Sequence, residues 1–266
     1  MSDIKLFQIV YSQQTLENIP PGYLVMDNLD GTRKDWREYW PIRKYLLTQA
    51  LSEDCYYGFF SPRFQEKTGL DHAQALDFIG TAPVGTDIVT FSPQPDMGAF
   101  FLNVFEQNEV FDPGFVPACE AFLSSIGMPL KLGALVMDSR QIVFSNYFVA
   151  RPVFWRAWLD INEKLFAISE GAESALRQMI NHATTYNGIE RKVFLMERIV
   201  SLLLTVDTKW KTHCYNTFAC AWSASKLGEN KLDAVMSDAL KIAIREQGFP
   251  QYLTAFAALR DKLRGN

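Results

Sequence analysis

The sequence predicts an α/β protein: a mostly parallel central sheet with helices on both faces, followed by a helical C-terminal part. Three observations carry this expectation. Through residues 1–150, short aromatic or β-branched runs alternate with helix-spaced segments. From 151 to 266 helical patterns dominate. An apolar fraction of 48% against 21% charged residues describes an ordinary globular chain with a sizeable core. The 266 residues show no internal repeat and no low-complexity linker. The simplest organisation is one domain over 1–266, with an α/β part over 1–150 and a mainly helical part over 151–266.

The elements follow in chain order. "KLFQIVYS" (5–12) is a first strand buried on both faces. Pro20-Pro21-Gly22 makes a turn, "YLVM" (23–26) a second strand, and "DNLDG" (27–31) a polar loop at its end. "RKDWREYWPIRKYLLTQALSED" has helical spacing, with Pro41 suited to the first turn of a helix running through Leu47. Residues 55–64 read as a strand entering a loop at Ser61-Pro62, and "TGLDHAQALDFIG" as a helix opened by Thr68 or Asp71. "TDIVTFSP" (86–93) is another buried strand. "AFFLNVFEQNE" and "DPGFVPACEAFLSSIG" are helical, the second closed by Gly127. "ALVM" (134–137) is a strongly apolar strand ending at Asp138. "FSNYFVARPVFWRAW" turns helical after Pro152, and four helices follow: "ALRQMINHATTY", "IERKVFLMERIVSLLLTV", "KLDAVMSDALKIAIREQG" and "YLTAFAALRDKLRG".

Composition excludes several classes. A net charge of −4 argues against a nucleic-acid binder, whose phosphate-facing surface needs a basic excess. Cys55, Cys119, Cys214 and Cys220 form no CxxC pair, and the three histidines are too few to complete a zinc framework. Reduced thiols in a cytoplasmic protein are the expectation. The N-terminus lacks the features of a signal peptide, and no run reaches 18 apolar residues, so no membrane span is expected. Peripheral membrane contact is compatible with all of this. The sequence contains no GxGxxG, P-loop, GxSxG or HExxH motif. His72 and His182 fall in expected surface helices, and with His213 they leave little material for a Ser-His-Asp triad.

Polar residues do gather at the strand ends, where open α/β sheets bind their ligands. Asp27, Asn28 and Asp30 are placed to accept hydrogen bonds from a sugar or ribose; the same residue types also form turns. Arg63, after a Ser-Pro turn, suits a phosphate or a salt bridge to Glu66. Asp138 suits a metal ligand, a sugar-hydroxyl acceptor, a catalytic base, or the start of a hairpin. Asn146, within "FSNYF", offers an amide to a sugar ring or to its own backbone. Glu197 and Arg198 interrupt an apolar helix. Adjacent positions lie about 100° apart, which disfavours mutual pairing, so at least one faces the core or a cleft. Trp36, Tyr39, Trp40, Trp155 and Trp158 are core aromatics, one or two of them available to stack on a sugar or base.

Three segments in this order resemble bacterial GT-A-type glycosyltransferase-like proteins of lipopolysaccharide and capsule gene clusters. "YYGFFSPRF" is similar to their "xxGLxHYRRYF" strand, "FSNYFVARPVFWRAW" to "xxNMFIMKKxxFxxY", and "IERKVFLMERIVSLLL" to "xxRVxGFLSERLLxxxL"; "FQIVYS" resembles the "QIY" opening of related families. The resemblance spans residues 6–205. It implies a nucleotide-sugar-binding α/β fold and transfer of a sugar from a nucleotide-sugar donor to a glycan or lipid-linked acceptor. Carried over, it points to Arg63, Asn146, Glu197 and Arg198. Ser61 and Pro62 replace the motif's His and one Arg. The DxD pair that holds Mn²⁺ or Mg²⁺ in such enzymes has only "DNLD" and "MDSR" in its place, which makes Asp138 the metal-ligand expectation. A non-catalytic nucleotide-sugar or glycan binder, or scaffold, of the same fold is the alternative.

Overall fold

The computed structural model describes residues 3–264. Strand β1 (Ile4–Val10) is followed by α1 (Gln13–Glu17), β2 (Leu24–Asp27), α2 (Tyr39–Thr48) and β3 (Tyr56–Phe60). Next come α3 (Phe64–Thr68), α4 (His72–Gly80), β4 (Ile88–Thr90), α5 (Pro95–Ala99), α6 (Val104–Phe111) and α7 (Phe115–Ser125). β5 (Phe148–Ala150), α8 (Pro152–Glu170), α9 (Ala175–Ile180), α10 (Arg191–Val206), β6 (Thr212–Cys214), α11 (Lys231–Gln247) and α12 (Pro250–Arg264) complete the order. The helix starts follow local chemistry. Asp71 caps α4 reciprocally with Gln74, Asn103 accepts from two N–H groups at the start of α6, and Pro152 opens α8 without costing it a hydrogen bond.

The sheet has six strands in the order β2-β1-β3-β5-β4-β6. β1 pairs parallel with β2 and β3, and β4 pairs parallel with β6. β5 alone runs antiparallel, wedged between β3 and β4. The mostly parallel sheet expected from the sequence is therefore present. At the wedge, Gly58 faces Val149, and a Cβ at 58 would lie 2.7 Å from Val149 Cγ2 and 2.9 Å from Leu6 Cδ2. Only glycine lets β5 lie that close.

Strand alternation divides the core into two layers. Phe7, Ile9, Tyr57 and Phe59 face one side, under α2, α7, α8 and α10, and Trp36, Tyr39, Trp155 and Trp158 are fully buried there. Leu6, Tyr56 and Phe60 face the other, against Phe64, Ala75, Ile79, Phe91 and Tyr147. Each such large apolar side chain stabilises the fold by roughly 1.5–3 kcal/mol through burial. Helices thus cover both faces, and the aromatic residues read as core are core; Trp40 alone is only partly buried and packs at its edge.

Several expectations are corrected. "ALVM" before Asp138 forms no strand: after a 3₁₀ turn at Leu132–Ala134, residues 135–147 run irregularly. Met137 N–H donates to Leu102 O instead of to a sheet neighbour. Of this run only Met137 is buried; Leu135 and Val136 are half-buried and Ala134 is exposed. α2 begins at Tyr39, which puts Pro41 in its first turn as expected; the helix-spaced residues before it are not helical, because Arg33 and Arg37 both take positive φ around a 3₁₀ turn at Lys34–Trp36. His182 lies beyond α9, which stops at Ile180, next to the Ala183–Glu190 bridge. The mainly helical half also contributes β6 to the sheet. Among the described residues no helix is long and apolar enough to cross a membrane.

Candidate functional site

Because β5 alone is reversed, its amino end meets the carboxyl ends of the other strands at one edge of the sheet. Two clefts open along that edge. The first, about 390 Å³, lies beyond β1 and β2 and is lined by Ile9, Tyr11, Asn28, Gly31, Lys34, Arg37 and Glu38. The second, about 370 Å³, lies beyond β3, β4 and the start of β5; Arg63, Lys67, Gln94, Ser145, Glu197 and Arg198 are among its lining residues. Glu38, in the wall of the first, is close enough to act electrostatically on Lys67 and Glu197 in the second.

The second cleft gathers three of the residues singled out by sequence. Arg198 Nη1 donates to Glu197 Oε2 at 3.0 Å. The two neighbours pair after all, because both side chains turn toward the same cleft. Arg198 Nη2 also donates to Asn108 Oδ1 at 3.0 Å and Gln107 Oε1 at 3.3 Å, which holds the guanidinium in place. Burial pushes the Glu197 carboxyl above the usual range; Arg198 and Lys67 pull it back and Glu38 pushes further. Burial likewise lowers the Lys67 ammonium, partly offset by Glu197. Arg63 sits at the rim, its guanidinium bidentate to Glu66 at 2.6 and 3.0 Å.

Ser145 and Asn146 are the central residues of a tight turn closed by Tyr147 N–H donating to Phe144 O at 3.3 Å. Both have positive φ, 61° and 52°, as in primed turns; Asn tolerates this better than Ser. The turn delivers Ser145 to the cleft, where its Oγ accepts from Lys67 Nζ at 2.9 Å. Asn146 points the other way. It is buried, its Nδ2 lies 3.2 Å from Met196 Sδ, and its Oδ1 has no partner. The polar pair is thus divided: Ser145 lines the cleft and Asn146 backs it.

The remaining residues are placed as follows. Asn28 lines the first cleft. Asp27 Oδ1 accepts from Leu29 N–H at 2.8 Å and Asp30 Oδ1 from Thr32 N–H at 3.0 Å, so both carboxylates close their own loop. Asp138 lines neither cleft. Its side chain is 0% exposed, and its oxygens accept from Arg140 N, Nε and Nη2, each at 2.9 Å, while Arg245 Nε lies 3.2 Å away. The base and metal-ligand expectation for Asp138 is corrected on this ground: four N–H groups saturate it, behind the sheet edge. No group of three or more His, Cys, Asp or Glu placed to hold a metal occurs among the described residues. The carboxylates that the sequence offered for a divalent cation, Asp27, Asp30 and Asp138, all accept hydrogen bonds from N–H groups of their own loops. His72 packs against Gly22 and Tyr23, and His213 stacks on Phe78, so neither histidine reaches a cleft.

Sequence reasoning did not single out Lys34, Arg37, Glu38, Lys67 or the Ser61–Tyr147 hydroxyl pair, whose oxygens lie 2.6 Å apart. The signal for the first three was the charge density of "RKDWRE", part of a segment read only for its helical spacing.

No family model matches the chain, and no curated protein matches it. It is similar to the solved structure of WbbM, a bifunctional glycosyltransferase in its apo form. The identity is 13% and the TM-score 0.43, over 84% of this chain and 46% of that one, so the chain spans less than half the length of WbbM.

Proposed function

We propose that the protein is a glycosyltransferase that moves a sugar from a nucleotide-sugar donor to a glycan or lipid-linked acceptor in surface-polysaccharide assembly. The observation that carries the reading is Glu197: a carboxyl with a raised pKa, in a cleft at the carboxyl edge of the sheet, oriented by a fixed arginine. Perturbed carboxylates in clefts are the groups that move protons in catalysis. In an inverting transfer, Glu197 takes the acceptor hydroxyl proton as that oxygen attacks the anomeric carbon. The bond from that carbon to the donor phosphate oxygen breaks, and the nucleoside diphosphate leaves. Arg198 positions the base; Lys67 and Ser145 contribute donors to sugar hydroxyls. The adjoining first cleft takes the nucleotide, with Asn28 toward its ribose.

The experiment has two stages. Thermal midpoints are measured with UDP-, GDP-, dTDP- and CMP-sugars, where binding reads as stabilisation. A donor that binds is then followed for hydrolysis and transfer in the wild type and in Glu197→Gln. Turnover lost in the variant, with donor binding kept, is expected. Binding without any turnover would leave a nucleotide-sugar binder of the same fold, and no shift with any donor would overturn both.

A further inference from the structure

Between Gly31 and Thr48 the chain carries five cations: Arg33, Lys34, Arg37, Arg43 and Lys44. Their fates differ. Arg33 bridges Asp35 and Glu170, and Arg43 holds both oxygens of Glu163. Lys44 lies outside the first cleft, near enough to Asp30 to lower its pKa together with Thr32. Lys34 and Arg37 have no side-chain hydrogen bond or ion pair among the described residues, and both line the first cleft. Both are exposed, and the one acidic residue lining the same cleft is Glu38, so the lining carries two cations against one carboxylate and favours an anion.

The backbone is shaped around them. Arg37 has φ 49° and ψ −132°, a conformation that costs a non-glycine residue strain and that clusters at ligand-binding sites. Gly31, at φ 58°, clears the path of Lys34: a Cβ there would lie 2.5 Å from Lys34 Cε. Two more of the lining residues suit a nucleoside. Tyr11 is 52% exposed, with a ring free for stacking, and the Asn28 amide is half-buried beside it.

We infer that Lys34 and Arg37 form an anion subsite that takes the diphosphate of the nucleotide donor and neutralises it as it leaves, with Tyr11 and Asn28 on the nucleoside. This rests on the transferase reading for the donor's identity, and goes further by assigning to two side chains the charge compensation a divalent cation supplies elsewhere. As the bond from the anomeric carbon to the phosphate oxygen breaks, its electron pair goes to that oxygen, and the ammonium and guanidinium meet the new charge. The proton of the acceptor goes to Glu197.

Calorimetric titration tests the subsite with three probes, UDP, GDP and inorganic pyrophosphate, first in EDTA and then in Mn²⁺. A diphosphate that binds in EDTA, weakened roughly tenfold or more by Lys34→Gln and by Arg37→Gln, is the expected result. Lys34→Arg retains most of the affinity. Arg37→Gly separates binding from folding: it relieves the backbone, so the thermal midpoint rises while affinity falls as in Arg37→Gln. Binding that requires Mn²⁺, or that survives the double glutamine variant, overturns the subsite and leaves the transferase reading standing. So does a failure of every probe to bind while donor turnover is intact. Diphosphate binding with no turnover has the opposite meaning: the subsite holds and the transferase reading falls.

Discussion

Asp138 and Glu197 are both carboxylates beside arginines, and they have opposite characters. Asp138 is sealed behind the sheet edge with four N–H groups on two oxygens. Glu197 keeps 27% of its side chain exposed to a cleft and accepts one side-chain bond, from Arg198. The first carboxylate is matched and has nothing left to offer a ligand. The second is only partly matched, and burial raises its pKa. The difference teaches that proximity of acid and arginine says nothing by itself. The number of donors per oxygen and the open side decide whether a charge supports the fold or does chemistry.

The largest effect that tests this contrast is on turnover. Glu197→Gln is expected to lower it by roughly 10²–10⁴-fold. Wild-type activity should rise with pH through the raised Glu197 pKa, since the base acts ionised; a profile that falls across that range would remove Glu197 from the mechanism. Stability has the reverse sign. A carboxyl whose folded pKa is raised is most favourable when protonated, and its contribution is lost as pH rises through the folded pKa. The urea midpoint of wild type relative to Glu197→Gln should therefore fall as pH rises from acid to neutral.

Asp138→Ala should instead lower stability. It removes the acceptor of three Arg140 N–H groups and the neighbour of Arg245, but Arg140 keeps Glu246 and Arg245 keeps Val136 O, so the expected cost is roughly 1–3 kcal/mol in urea unfolding while donor affinity per folded molecule is unchanged. An unshifted midpoint would break the contrast. A smaller change is expected from Ser145→Gly. It relieves positive φ at 145, for a gain of about 1 kcal/mol, yet removes the acceptor of Lys67, so acceptor KM should rise. Arg63→Ala should move the unfolding midpoint least, because its pair with Glu66 stands in water. A large loss there would show that Arg63 does more for the fold than its exposure indicates.

Much of the fold was legible because periodicity reports burial. β1, β3 and β4 are short apolar runs, and α10 shows its spacing plainly. "ALVM" misled because four apolar residues in a row have the composition of a strand, whereas only Met137 of them is buried and its N–H finds a loop carbonyl. β6 escaped because "THC" has neither length nor β-branched density; its position comes from pairing with β4. At the site, Glu197 and Arg198 stood out as charges in an apolar helix, while Asp138 stood out as a carboxylate at the end of an expected strand and lies buried on Arg140 instead. Lys34 and Arg37 were invisible as a pair, because their convergence depends on two positive-φ arginines that no propensity favours.

The reversed strand β5 has a consequence for how the molecule holds its dimensions. β3 and β4 are not neighbours; two register pairs on one side of β5 and three on the other join β2-β1-β3 to β4-β6, with Phe91 N–H donating to Tyr147 O and Arg151 N–H to Asp87 O at either end. The sheet has a waist three residues wide. The second cleft takes Arg63 from one side of it, Gln94 from the other and Ser145 from the strand that makes it. Its width is therefore gauged by Phe148, Val149 and Ala150. It also cannot take shape during synthesis before those residues exist, however early the first three strands have paired.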